Sequence, residues 1–195
     1  HIITALQTLV SREVSPLDPA VVTVGSINGG EKHNVIPNRV DLQLTVRSYK
    51  DQVRETLLSG ITRIAKAEAE ALGFPKMPVI KVRDEYTPAA YNTPELVQRL
   101  VPLWKARLGD SRVVELDPVM GGEDFGRYGR QDPRIPSFMF SLGAVDPATV
   151  LAAKESGTKL PSLHSSKFAP LPEPTITTGV ETMTAAVLEV LKRED

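Results

Sequence analysis

From Val40 to Arg47 the side chains alternate without a break: Val40, Leu42, Leu44 and Val46 fall on one side, Asp41, Gln43, Thr45 and Arg47 on the other. A segment of this kind is a strand with one face buried and one wet, and its apolar face demands a covering layer. The residues that follow supply one. Asp51 reads as a helix N-cap, Val53, Leu57, Ile61 and Ile64 form an apolar stripe, and Gly73 with Pro75 beyond it ends the helix. Upstream, AVVTVGSI (20–27) is the β-branched run of a buried strand, closed by Asn28-Gly29-Gly30. Before it, Ile2, Ile3, Leu6, Leu9 and Val10 recur at helical spacing until Pro16 and Pro19 stop them. VIKV (79–82) reads as one more short strand. Helix, strand, strand, helix, strand over residues 1–84, with one strand added before His1, makes a split βαβ layer of helices on an antiparallel sheet.

The chain opens without Met and inside a helix that no Ser, Thr, Asp or Asn precedes, so it reads as a piece of something longer. Thr87-Pro88 breaks the pattern and marks the crossing into a second region. There Thr93 caps a helix with Pro94 in its first turn and Leu96, Leu100 and Trp104 on its stripe, and Pro102 is expected to kink it. VVEL (113–116) reads as a short strand, MGGEDFGRYG as a Gly-rich turn, and SFMFSL (137–142) as a strand covered on both faces. Residues 146–172 read as a long loop containing His164. Pro174 starts a last helix with the stripe Ile176, Val180, Met183, Val187 and Leu191.

Charge and composition exclude several classes. With 23 basic against 24 acidic residues the formal charge is −1, which leaves no electrostatic footprint for a phosphate backbone and argues against a general nucleic-acid binder. No run of apolar residues is long enough for a membrane span. Without cysteine there is no thiol nucleophile and no thiolate ligand. His1, His33 and His164 are the only histidines, which limits any metal site this chain builds by itself.

Each candidate residue carries a plain reading beside a chemical one. His164, in LPSLHSSKF, presents a ring nitrogen either to a divalent metal or, more commonly for a lone loop histidine, to solvent or a hydrogen-bond partner. A Ser-His pair with Ser165 or Ser166 has no G-x-S-x-G elbow to support it. Glu123-Asp124 lies on a Gly-Gly turn that lets a substrate approach the backbone, yet acids at a helix start are also favoured by the helix dipole. Asn28-Gly29-Gly30 matches neither a Walker nor a dinucleotide loop and reads as a hairpin connection. Asn34, in HNVIPN, and Arg47 are either a clamp for a carboxylate, since the guanidinium fork is bidentate and does not titrate, or a turn asparagine and a solvated arginine. His33 beside them reads as exposed.

The stretches ALQTLVSRE, VVTVGSINGG, HNVIPNRVDLQLTVRSY, MGGEDFGRYG, PSFMFSLG and LHSSKFAP, in this order, resemble the C-terminal part of the dinuclear-metal amidohydrolases. That family includes hippurate hydrolases, N-acyl-amino-acid amidohydrolases and plant auxin-conjugate hydrolases, within the aminoacylase and carboxypeptidase clan. The resemblance implies an α/β architecture: a metallopeptidase-like catalytic domain, its mixed sheet flanked by helices, with an inserted α+β ferredoxin-like lid that forms a homodimer. Residues 1–84 correspond to the lid without its first strand, and residues 85–195 to the C-terminal half of the catalytic domain. By the same resemblance His164 is a metal ligand, Asn34 and Arg47 hold the substrate carboxylate, and Met120, Gly121, Gly122 and Glu123 line the substrate pocket. It implies two divalent ions, Zn or Mn, and hydrolysis of the amide of an N-acyl amino acid or short peptide. The other metal ligands, the general-base glutamate and a lid histidine would come from an N-terminal half that these residues do not include, so no catalytic base is expected here and the chain alone is expected to be inactive. A cytoplasmic protein is implied, or an exported one where a leader precedes. Two other readings stay open: a non-catalytic dimerisation or binding module, and a metallo-exopeptidase of the same clan.

Overall fold

The structure, a computed structural model, describes residues 1–192 and is of mixed α/β class, with a small sheet and helices. It divides into two compact units, one of residues 1–90 with 118–127, the other of residues 91–117 with the chain from 128 onward.

In the first unit α1 (Ile2–Thr8) runs on as a wider π turn over Leu9–Glu13, and β1 (Ala20–Asn28) pairs antiparallel with β2 (Asp41–Ser48). β2 shows the alternation its sequence predicts. β1 departs from simple alternation. Its register shifts between Val24 and Ser26, leaving Gly25 as an extra residue. The bulge lets Val22, Val24 and Ile27 lie opposite Val46, Leu44 and Leu42 on one face, although their spacing in sequence is uneven. The covering helix is α2 (Asp51–Ala71), whose predicted stripe is buried: Val53, Leu57, Ile61 and Ile64 form the core with Leu6 and Leu9, and Val22, Val24, Leu44 and Val46 pack against it. Burying four such side chains contributes roughly 1.5–3 kcal/mol each. At its end the amide of Phe74 donates to Ala69 and that of Gly73 to Glu70, with Gly73 at φ +67°, a Schellman stop that glycine allows.

The second unit is built on α3 (Pro94–Leu108) and α5 (Pro172–Val190), with α4 (Pro147–Ser156) between them in sequence. α3 follows Thr93 as predicted and buries Leu100 and Trp104. Pro102 sits inside it as part of a single continuous helix. α4 forms within residues 146–172, where the sequence predicts only a loop. Asp146 caps it by accepting from the amides of Ala148 (2.8 Å) and Thr149 (3.2 Å), Pro147 occupies its first turn, and Gly157 ends it in the left-handed region. α5 begins two residues before the predicted Pro174 and faces differently from its predicted stripe. Ile176, Val180, Met183 and Leu191 are exposed, while the small residues Thr182, Ala185 and Ala186 are buried, next to a Trp104 indole that donates to the Thr182 carbonyl (3.0 Å).

The strands expected at 79–82, 113–116 and 137–142 do not form, because among the described residues none has a neighbouring strand to complete a ladder. Residues 137–139 show what replaces one. The Asn92 side-chain amide donates to the Met139 carbonyl and accepts from its amide, both at 2.8 Å, and Thr93 pairs with Ser137 through its backbone amide (2.7 Å) and its hydroxyl (2.9 Å). Phe138 and Phe140 then pack on Trp104 with ring centroids 5.4 and 4.6 Å away. No helix among the described residues is long and apolar enough to cross a membrane.

Candidate functional site

Arg47 lies near the C-terminal end of β2, on the sheet face turned away from α2, because the alternation that buries Val46 turns its neighbour outward. Its Nη1 donates to the carbonyl of Met120, at the start of the Gly-Gly turn. This brings together two of the residues singled out from sequence, 73 positions apart. Arg39, at the entrance to β2, differs in kind. Its Nε and Nη2 both reach Asp41 Oδ1, at 2.8 and 2.7 Å, and that carboxylate raises its already high pKa. Arg47 meets a neutral carbonyl, and among the described residues no carboxylate pairs with it. Its charge and most of its N–H donors are therefore left for an anion.

Asn34 lies in the exposed connection 29–40 between β1 and β2, in the same unit, with His33 exposed beside it. No hydrogen bond joins Asn34 to Arg47 among the described residues. Gly121 and Gly122 carry the turn out from Met120, and a Cβ at Gly122 would meet nothing within 4 Å. Glu123 closes the turn by accepting from the Phe125 amide at 3.1 Å, so one carboxylate oxygen caps the helical turn that starts at Asp124.

Residues 84–90 hold the far end of the turn, a role the sequence reading missed. Thr87 Oγ1 lies 3.4 Å from Asp124 Oδ1, Arg127 donates to the Tyr86 carbonyl, and Arg54 stacks 3.9 Å over the Tyr86 ring. Gly126 sits so close to the backbone of Ala89 that a Cβ would come within 2.7 Å of its carbonyl oxygen. Each contact joins positions far apart in sequence, and only the close approach at Gly126 leaves a local sign, a glycine where other residues would fit the pattern.

His164 belongs to the second unit, exposed in a run of turns where the Ser165 amide donates to the Ser162 carbonyl (2.9 Å) and the Phe168 amide to that of Ser165 (3.0 Å). The Ser165 hydroxyl accepts from the Lys167 amide (3.1 Å) and is thereby engaged in the turn. Among the described residues no three His, Cys, Asp or Glu side chains gather where they could share a metal ion. The residues present thus do not fit a metal pair by themselves.

Residues 1–72 match the peptidase dimerisation domain of the M20 family. A putative aminohydrolase from methicillin-resistant Staphylococcus aureus superposes on 98% of this chain with a TM-score of 0.77 and 30% identity. The first 72 residues of this chain carry the M20 dimerisation domain. The chain covers 45% of that aminohydrolase. Among curated members, the N-acetyldiaminopimelate deacetylase of Shouchella clausii is 37% identical over 150 residues, 75% of this chain and 37% of the deacetylase. The thermostable carboxypeptidase 2 of Saccharolobus solfataricus is 29% identical over 168 residues, 86% of this chain and 39% of its own length. A Bacillus subtilis M20 protein described as a dinuclear metal binding peptidase shares the fold, with a TM-score of 0.65 at 22% identity over 98% of this chain. The chain spans less than half the length of these relatives.

Proposed function

We propose that these residues are the C-terminal part of a metal-dependent amidohydrolase that cleaves N-acyl amino acids. Residues 1–84 serve as its lid and dimerisation layer, and residues 85–195 as the second half of its catalytic domain. The observation that carries the reading is the uncompensated guanidinium of Arg47 at the start of an open Gly-Gly turn. A fork of this kind holds a free carboxylate in a fixed orientation and so selects which amide presents itself. Asn34 assists it, Met120, Gly121, Gly122 and Glu123 form the wall of the pocket, and His164 gives one ligand to a pair of divalent ions, Zn or Mn. The remaining ligands and the general base are supplied from outside these residues. The names of the deacetylase and aminohydrolase relatives agree with this class.

The reading is tested by joining the chain to the preceding half of an N-acetyldiaminopimelate deacetylase and supplying Zn or Mn. Release of free amino acid from N-acetyl or N-aroyl amino acids is expected, and loss of that release in His164→Ala. A fusion that circular dichroism shows to be folded, yet which hydrolyses none of them or is indifferent to the His164 change, overturns the proposal. The carboxypeptidase relatives favour a second reading, a metallo-exopeptidase of the same clan. Cleavage of dipeptides in preference to N-acyl amino acids by the same fusion would select it. The match to a dimerisation domain favours a third, a non-catalytic dimerisation module, which a folded but inert dimer would select.

A further inference from the structure

Arg47 supplies a hydrogen bond to Met120, and among the described residues no other reaches Met120, Gly121 or Gly122. The far end of the turn is held separately, by Thr87 on Asp124, by Arg127 on the Tyr86 carbonyl and by the fit of Gly126 against Ala89. Two consecutive glycines between these anchorages give the backbone its widest conformational range, so without the first anchor the turn has little to keep one shape. The guanidinium uses one N–H on the Met120 carbonyl, and its remaining donors point to other directions of the same plane.

We propose that Arg47 is a positioning residue for the Met120–Glu123 turn as well as the holder of the substrate carboxylate, one guanidinium binding both. This rests on the reading of Arg47 as a carboxylate donor given above. The pocket wall is then set in place by the same side chain that orients the substrate. A substitution at Arg47 disturbs both functions, and a lysine separates them. The ammonium can still donate to the Met120 carbonyl, whereas it cannot offer a carboxylate two parallel N–H groups.

A glutamyl endopeptidase cutting after Glu123 reports the state of the turn without any activity assay, since cleavage follows the population of the locally open form when reclosing is fast. Arg47→Ala is expected to speed this cut on the order of tenfold, and Arg47→Lys to leave it near the wild-type rate. Arg63→Ala, which breaks an exposed ion pair with Glu13 elsewhere in the unit, is the control and should change nothing at Glu123. Cleavage after Glu68, within α2, is the internal reference for general loss of structure. An Arg47→Ala chain cut after Glu123 at the wild-type rate, or no faster there than after Glu68, overturns the positioning role. In the active fusion, Arg47→Lys is expected to raise KM for N-acyl amino acids with kcat kept, while Arg47→Ala lowers kcat as well. Equal KM changes for acyl amino acids and for neutral amides would overturn the carboxylate role and leave the proteolysis result to judge the turn.

Discussion

Gly60 lies where α2 passes over Leu9. A Cβ placed there would come within 2.3 Å of Leu9 Cδ2, and Leu9 is wholly buried. Two effects oppose each other on changing Gly60 to alanine. Helix propensity favours it by about 1 kcal/mol, and overpacking costs about 1–3 kcal/mol because the leucine has no space to retreat into. The clash wins: Gly60→Ala is expected to lower stability by up to about 2 kcal/mol in urea unfolding. A double-mutant cycle with Leu9→Ala locates the cause, since the Gly60 change should be far less harmful once Leu9 is truncated. If Gly60→Ala costs as much in the Leu9→Ala background, contact with Leu9 is not what makes glycine necessary.

At the scale of elements, extended segments and helices depend on partners that lie elsewhere in the chain. Asn92 acts as a substitute strand edge for Met139, and removing its amide leaves one backbone donor and one acceptor without their partner. These contacts are exposed and water can take the place of the amide, so Asn92→Ala is expected to destabilise the second unit by about 0.5–1.5 kcal/mol. Aspartate at 92 would keep the acceptor and lose the donor, so it should fall between, by the same denaturation measurement. The α3–α5 pair has a second fastening at its end. Glu189, near the end of α5, takes Lys192 on one oxygen and Arg99 of α3 on the other, and Arg99 also donates to the Glu189 carbonyl. Hydrogen bonds from Lys192 and then Arg99 outweigh desolvation and hold this carboxyl below its ordinary value of 4.5. A carboxyl lowered on folding stabilises fully above its unfolded pKa and loses that contribution as pH falls through the native one. Stability should therefore decline below about pH 4.5 more steeply in the wild type than in Glu189→Gln, followed by tryptophan emission, and matching acid limbs would remove Glu189 from the account.

For the whole molecule, the absence of any three-ligand cluster among the described residues makes a specific statement about metal. Zn2+ titrated into the 195-residue chain should bind weakly, and His164→Ala should weaken it further. A pair of ions retained through gel filtration would mean that these residues build a centre on their own. Much of the first unit was legible without coordinates. The alternation of Val40–Arg47 and the stripe Val53, Leu57, Ile61 and Ile64 became β2 and the buried face of α2, and Gly73 became the helix stop. The bounds of α4 are local signals of the same kind, Asp146-Pro147 at its start and Gly157 at its end. Less could be read of α5, since an apolar stripe says which residues avoid water in general and not which face a neighbour will take. The sequence by itself determined the alternation of β2, the buried stripe of α2 and the helix stop at Gly73, all governed by forces acting within about a turn or two of helix. Tertiary structure alone decided the bulge at Gly25, the borrowed strand edge at Asn92, the small-residue face of α5 and the seat of Arg47 on Met120. Each of these depends on the distance between groups that chain connectivity leaves far apart, and local periodicity carries no information about that distance.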